Sequence, residues 1–127
     1  MKDLTITSVA VPHGMMPAVA YRIDSTAGSI VISGDSSGYH PPLVELARGA
    51  DLLVHDMALP ERPTEHGHLH AKPSDVGRTA ADAGATRLLL SHVMPELEPE
   101  RDEAERIVRE HFDGRVEWAH DLMRIVL

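Results

Sequence analysis

Apolar and polar residues alternate through Leu4-Thr5-Ile6-Thr7, and Val9 and Val11 extend the stretch, which predicts a first strand. A second extended stretch, Ala18 to Ile23, meets Ser29 to Ser33 across Asp24-Ser25-Thr26-Ala27-Gly28. That polar, glycine-containing linker suits a hairpin. Pro42 opens a short helical pattern with Leu43, Leu46 and Ala47 on one face, and Gly49 closes it. Asp51-Leu52-Leu53-Val54 is short, apolar and bounded by turn residues, so it predicts a buried strand. The 16 residues from Met57 to Lys72 have no periodicity and contain two prolines and three histidines. A structureless loop of that length is uncommon in a compact domain unless it carries function or is disordered. Pro73 suits a first helical position, with Val76, Thr79, Ala80 and Ala83 on one face and Gly84 as the stop. Arg87 to Leu90 predicts another buried strand. Pro99 opens a third helix with Ala104, Ile107, Val108 and Phe112 as its core-facing stripe. Val116 and Trp118, then Met123, Ile125 and Leu127, predict two short closing strands. Extended and helical segments thus alternate, the pattern of an α/β domain.

Composition narrows the chemistry. The 127 residues suit one domain, and 12 Lys+Arg against 20 Asp+Glu give a net charge of −8. No basic run offers a footprint for duplex nucleic acid, and four aromatics are too few for a base-stacking platform. The absence of cysteine excludes disulfides, thiolate metal sites and cysteine nucleophiles. No apolar run approaches the ~18 residues of a membrane span, and no signal-peptide pattern opens the chain. The expectation is an acidic, cytoplasmic domain that binds neither DNA nor membrane, with RNA disfavoured. Its unusual feature is nine histidines.

Several apolar runs end in residues fit for metal or acid–base work. Val9-Ala10-Val11-Pro12 ends at His13, Ile30-Val31-Ile32-Ser33-Gly34 at Asp35, Leu52-Leu53-Val54 at His55-Asp56, and Leu88-Leu89-Leu90-Ser91 at His92. Ligands of open α/β sheets bind beyond the carboxyl ends of the strands, where residues distant in sequence converge. Without thiolate, imidazole and carboxylate suit zinc, manganese or iron. Any one such residue serves equally as a turn or cap; Asp35 before Ser36-Ser37-Gly38 has the form of an Asx turn.

The motifs in order are more specific. Ser33-Gly34-Asp35-Ser36 resembles the "GD[ST]" motif of the metallo-β-lactamase superfamily, and Leu88-Leu89-Leu90-Ser91-His92 resembles its strand ending in "[ST]H". Val11-Pro12-His13 followed by Ala20-Tyr21-Arg22-Ile23 resembles the histidine and "YRI" strand before that motif. Asp51-Leu52-Leu53-Val54-His55-Asp56 is similar to a strand usually ending in an acid. His70-Ala71-Lys72-Pro73-Ser74-Asp75-Val76-Gly77-Arg78 resembles "HST-x-E-D-x-G-R", and Asp121-Leu122-Met123-Arg124-Ile125 resembles a "DLM-x-I" ending. The set is most similar to the branch holding tRNA 3′-processing ribonuclease and arylsulfatase-like hydrolases. The resemblance implies half of an αββα sandwich, with a mixed β-sheet and about three helices. It implies His13 and His92 as ligands of one metal each, Asp35 as a bridge between two, and His70 as the residue that protonates or stabilises the expelled group. One or two zinc ions are implied, with manganese or iron(II) as alternatives.

Two departures qualify the resemblance. Ala71 and Lys72 replace the hydroxyl residues expected after His70. The "H-x-H-x-D-H" segment of the N-terminal half has no counterpart; His66-x-His68-x-His70 lies late and lacks the following Asp-His. The expectation is therefore that residues 1–127 are a C-terminal half-domain, inactive alone as a hydrolase of ester, sulfate-ester, phosphoester or lactone bonds by metal-activated water. The partners expected are a small-molecule substrate and either the missing half or a second copy. Non-catalytic metal binding or assembly through an exposed sheet face is the alternative. His40 and His68 are further residues placed within reach of the site, His55 has a structural reading, and Asp56 is expected to orient a ligand from behind.

Overall fold

The computed structural model describes residues 3–127. β1 (Thr5–Val11), β2 (Ala18–Ser25) and β3 (Gly28–Ile32) form an antiparallel meander. β4 (Leu52–Asp56), β5 (Arg87–Ser91) and β6 (Arg115–Trp118) continue it in parallel, in the spatial order β1 to β6. The change of direction follows from the connections. A two-residue turn joins β2 to β3, whereas α1 (Pro41–Leu46), α2 (Pro73–Ala83) and α3 (Arg101–His111) lie between the parallel strands. A tight turn can only reverse a strand, and a parallel return needs a crossover. The sheet is mixed and carries three helices, as the motif order implied.

All three helices cover one face. Strand alternation sends Val11, Ala20, Val31, Leu53, Leu88, Leu90 and Val116 to that side, where they form one core with Leu43, Val76, Val108 and Phe112. Burial of each large side chain contributes about 1.5–3 kcal/mol. The opposite face carries the residues in the other phase. Register aligns Ile6 with Ile23 and Ile30 with Leu52, and it aligns Tyr21 with Ile32 and Ile32 with Val54. Ile6, Val19, Tyr21 and Ile32 are exposed there, so an apolar face lies open beside the site.

Three boundaries differ from the sequence reading. Pro99 falls in a 3₁₀ turn (Glu98–Glu100) and α3 starts at Arg101, while α1 begins at Pro41. The second closing strand does not form. Residues 120–123 turn instead, with Leu122 in a left-handed conformation and the Met123 amide donating to the His120 carbonyl at 3.1 Å. The tail then returns to the far end of the sheet, where Arg87 Nη1 donates to the Val126 carbonyl at 2.8 Å. Its apolar spacing survives without a ladder to join. No described helix is long and apolar enough to cross a membrane.

Candidate metal centre

The carboxyl ends of β3, β4 and β5 and the loop after β1 meet at one corner of the sheet. β3 hands over to Ser33-Gly34-Asp35, where Gly34 has φ +62° and a Cβ there would lie 2.9 Å from the Val19 carbonyl oxygen. Only glycine fits that turn, and the turn aims Asp35 across the strand ends. The loop after it is tied to the β1 loop by the Ser37 amide, which donates to the Pro12 carbonyl at 2.7 Å.

Two histidines address the two oxygens of Asp35. His92 Nδ1 lies 2.7 Å from Oδ1, and His13 Nε2 lies 3.7 Å from Oδ2. His13 is held from behind, since its Nδ1 donates to the Leu69 carbonyl at 2.7 Å; that leaves Nε2 facing the carboxylate. His92 adopts φ +62°, a conformation rarely used by a non-glycine residue, and this turn brings its ring onto Asp35.

The last residue of β4 completes the corner. Asp56 is nearly fully buried, and its Oδ2 accepts from His70 Nδ1 at 2.6 Å and from the Ser36 amide at 3.2 Å. Its own amide donates to Ser33 Oγ at 2.9 Å. His70 ends the long loop immediately before α2 and stands edge-on between the other two histidines, its ring centroid 5.1 Å from that of His13 and 5.0 Å from that of His92. One donor atom from each of Asp35, Asp56, His70 and His92 lies within 4.8 Å of every other. A small cavity of about 130 Å³ between Asp35, Asp56 and His92 opens beside them.

These donors fit a divalent cation. Two carboxylates supply two negative charges, and imidazoles add nitrogen donors without further charge. Asp56 Oδ1 and Ser36 Oγ are buried with no hydrogen-bond partner among the described residues. A buried acceptor left bare is costly unless something outside the chain's own polar groups meets it.

The eight sequence-derived positions separate by geometry. His13, Asp35, Asp56, His70 and His92 come together. His55 does not, because alternation along β4 sends it to the helix face while Asp56 faces the open side; its Nδ1 donates to the Asp56 carbonyl at 2.9 Å. Burial pushes the His55 imidazole below its ordinary pKa. His40 turns its Nε2 to the Ala10 carbonyl at 3.1 Å, at the start of α1, and takes no part in the cluster. His68 lines a larger cavity of about 470 Å³ together with Leu59, Pro60, Arg62, His70 and Lys72. Asp35 spends its carboxylate on His92 rather than on a local Asx turn. Asp56 holds His70 directly, while Leu69 and Ser36, which act through backbone atoms that no residue pattern reveals, are not read from the sequence.

Comparison with known proteins bears on the family and the fold. Residues 1–93 match the model of the beta-lactamase superfamily domain. The chain is 31% identical over 118 residues to ribonuclease Z of Mycobacterium tuberculosis, covering 86% of this chain and 43% of that protein. Among solved structures, the metallo-beta-lactamase fold protein YhfI of Bacillus subtilis superposes with a TM-score of 0.81 at 27% identity, over 91% of this chain and 46% of that one. The short form of human tRNase Z gives 0.73 at 22% identity, over 98% and 44%. The chain thus spans about half the length of the relatives it matches. With the family match over residues 1–93 and the shared fold, the chain belongs to the beta-lactamase superfamily.

Proposed function

We propose that these residues form one half of a metal-dependent hydrolase, with His13, Asp35 and His92 as ligands and His70 as the proton-handling group. The observation that carries the reading is the division of Asp35: its two oxygens address two histidines from opposite strand-end loops. A carboxylate so divided would hold divalent cations jointly with His13 and His92. Bound divalent cations supply Lewis acidity and lower the pKa of water. The chain's own residues do the rest. The Leu69 carbonyl fixes the His13 tautomer, and Asp56 accepts from His70 Nδ1 and would stabilise the imidazolium, whose Nε2–H then gives its proton to the departing oxygen and leaves the neutral ring.

The bond cleaved is an ester in the broad sense: carboxylic, phospho- or sulfate ester, or lactone. The large cavity beside His70 favours a small substrate of little net charge. Its Lys72 ammonium lies 3.8 Å from Glu61, and Arg62 donates to Glu100 at 2.9 Å, so its cations are already engaged. Ribonuclease Z is named among the relatives; an RNA substrate here would need its basic surface from outside these acidic residues. Zinc is the cation proposed, with manganese and iron(II) compatible with the same donors.

The test uses whatever natural polypeptide carries these residues. Expected are hydrolysis of p-nitrophenyl esters that EDTA abolishes and zinc restores, and a loss of at least about 10³-fold on Asp35→Ala. Full activity of the Asp35 variant would refute the proposal. A second reading, assembly through the open sheet face, draws support from exposed Ile6, Val19, Tyr21 and Ile32. A second copy or the missing half would cover that face. Light scattering at micromolar concentration is expected to give a dimer of the 127-residue chain, dispersed by Tyr21→Asp; a monodisperse wild-type monomer counts against self-assembly.

A further inference from the structure

We infer that this chain alone holds one divalent cation, with Asp35, Asp56, His70 and His92 as its ligands. The inference rests on the hydrolase reading for the kind of cation, and it differs in the ligand set. In the chain alone His70 and Asp56 complete the shell begun by Asp35 and His92, and His13 is not required.

Three observations converge on it. First, the four donor atoms already lie within 4.8 Å of one another, whereas zinc bonds of 2.0–2.2 Å place tetrahedral donors about 3.4 Å apart. Small side-chain rotations close that gap, and the cavity of about 130 Å³ beside Asp35, Asp56 and His92 gives the ion room. Second, Asp56 is only 3% exposed, yet its Oδ1 has no partner among the described residues, and it lines that same cavity. Its Oδ2 is already engaged by His70 and the Ser36 amide, and the bare Oδ1 is an acceptor that a cation would satisfy, since a buried acceptor without a partner is costly. Third, the charges balance: two carboxylates against a dication, with two neutral imidazoles completing four-coordination. His70 is well placed for both occupations. It would serve as a ligand in the chain alone and as the proton donor where Asp35, His13 and His92 with further ligands would hold the cation.

The test is titration of the metal-free 127-residue chain with Co²⁺ and Zn²⁺, read by calorimetry, by the visible absorption of four-coordinate Co²⁺ and by the imidazole count from X-ray absorption. Expected are one ion per chain and two imidazoles. His70→Gln should weaken binding at least tenfold and reduce the count to one, and His13→Gln should change neither. Asp56→Asn should weaken binding by a similar factor; circular dichroism establishes whether that variant folds, and the two histidine variants decide the matter if it does not. Loss of binding in His13→Gln with retention in His70→Gln overturns the inference in favour of the ligand set proposed for the complete enzyme. Absence of a stoichiometric ion in the wild-type chain also overturns it, and leaves the hydrolase reading standing, because there the second half completes the shell.

Discussion

His70 and Asp56 are joined by a 2.6 Å hydrogen bond between Nδ1 and Oδ2, both side chains being almost wholly removed from solvent. The bond links the long loop to the end of β4 and sets which nitrogen of His70 remains free. Asp56 also receives the Ser36 amide, so one carboxylate anchors two segments of the site.

Asp56→Ala should therefore destabilise the metal-free fold by about 2–4 kcal/mol, because it leaves the His70 and Ser36 donors buried and unpaired. Urea denaturation measures this. A loss under 0.5 kcal/mol would show that the pair is not maintained in solution.

His92 occupies a left-handed conformation that costs roughly 1–2 kcal/mol for a residue with a Cβ. His92→Gly should raise or preserve the melting temperature of the metal-free chain, and His92→Val should lower it. Both should lose cation affinity. If the valine variant melts with the wild type, the position is not held left-handed.

Gly34→Ala meets two obstacles: a positive φ, and backbone oxygen of Val19 at 2.9 Å from the new Cβ. Backbone cannot yield as a flexible side chain does, so the cost should be about 2–3 kcal/mol, with displacement of Asp35. Thermal melting gives the first and chemical-shift change at His92 the second. An unshifted His92 would mean that Asp35 is set by other contacts.

Buried His55 is kept neutral, with its pKa below the ordinary 6.5. Between that lowered value and 6.5 the unfolded chain binds a proton that the folded chain does not. Stability is therefore fully present above about 6.5 and falls as the pH drops through that window. His55→Leu should flatten the dependence. Denaturation midpoints at pH 7.5, 6.0 and 5.0 provide the comparison, and an unchanged slope would place the acid sensitivity elsewhere.

Sequence alone determined what each segment would become. Alternation marked β1, extended stretches around a polar, glycine-containing linker marked β2 and β3, apolar runs marked β4 and β5, and a proline start with a glycine stop bracketed α2, because these signals are local and each residue carries its own part. The ordered motifs also selected the family and picked out His13, Asp35, His70 and His92. Tertiary structure decided what required a partner. Met123 to Leu127 has strand spacing and no strand, since a ladder needs a neighbour that the pattern of one segment cannot specify. His55 and Asp56 are adjacent in sequence and indistinguishable as candidates, yet pleating sends one into the helix-side core and the other to the site. The pairing of Asp56 with His70, and the support of His13 by the Leu69 carbonyl, arise only when the loop closes over the sheet end, because contacts across 14 and 56 residues leave no periodic trace.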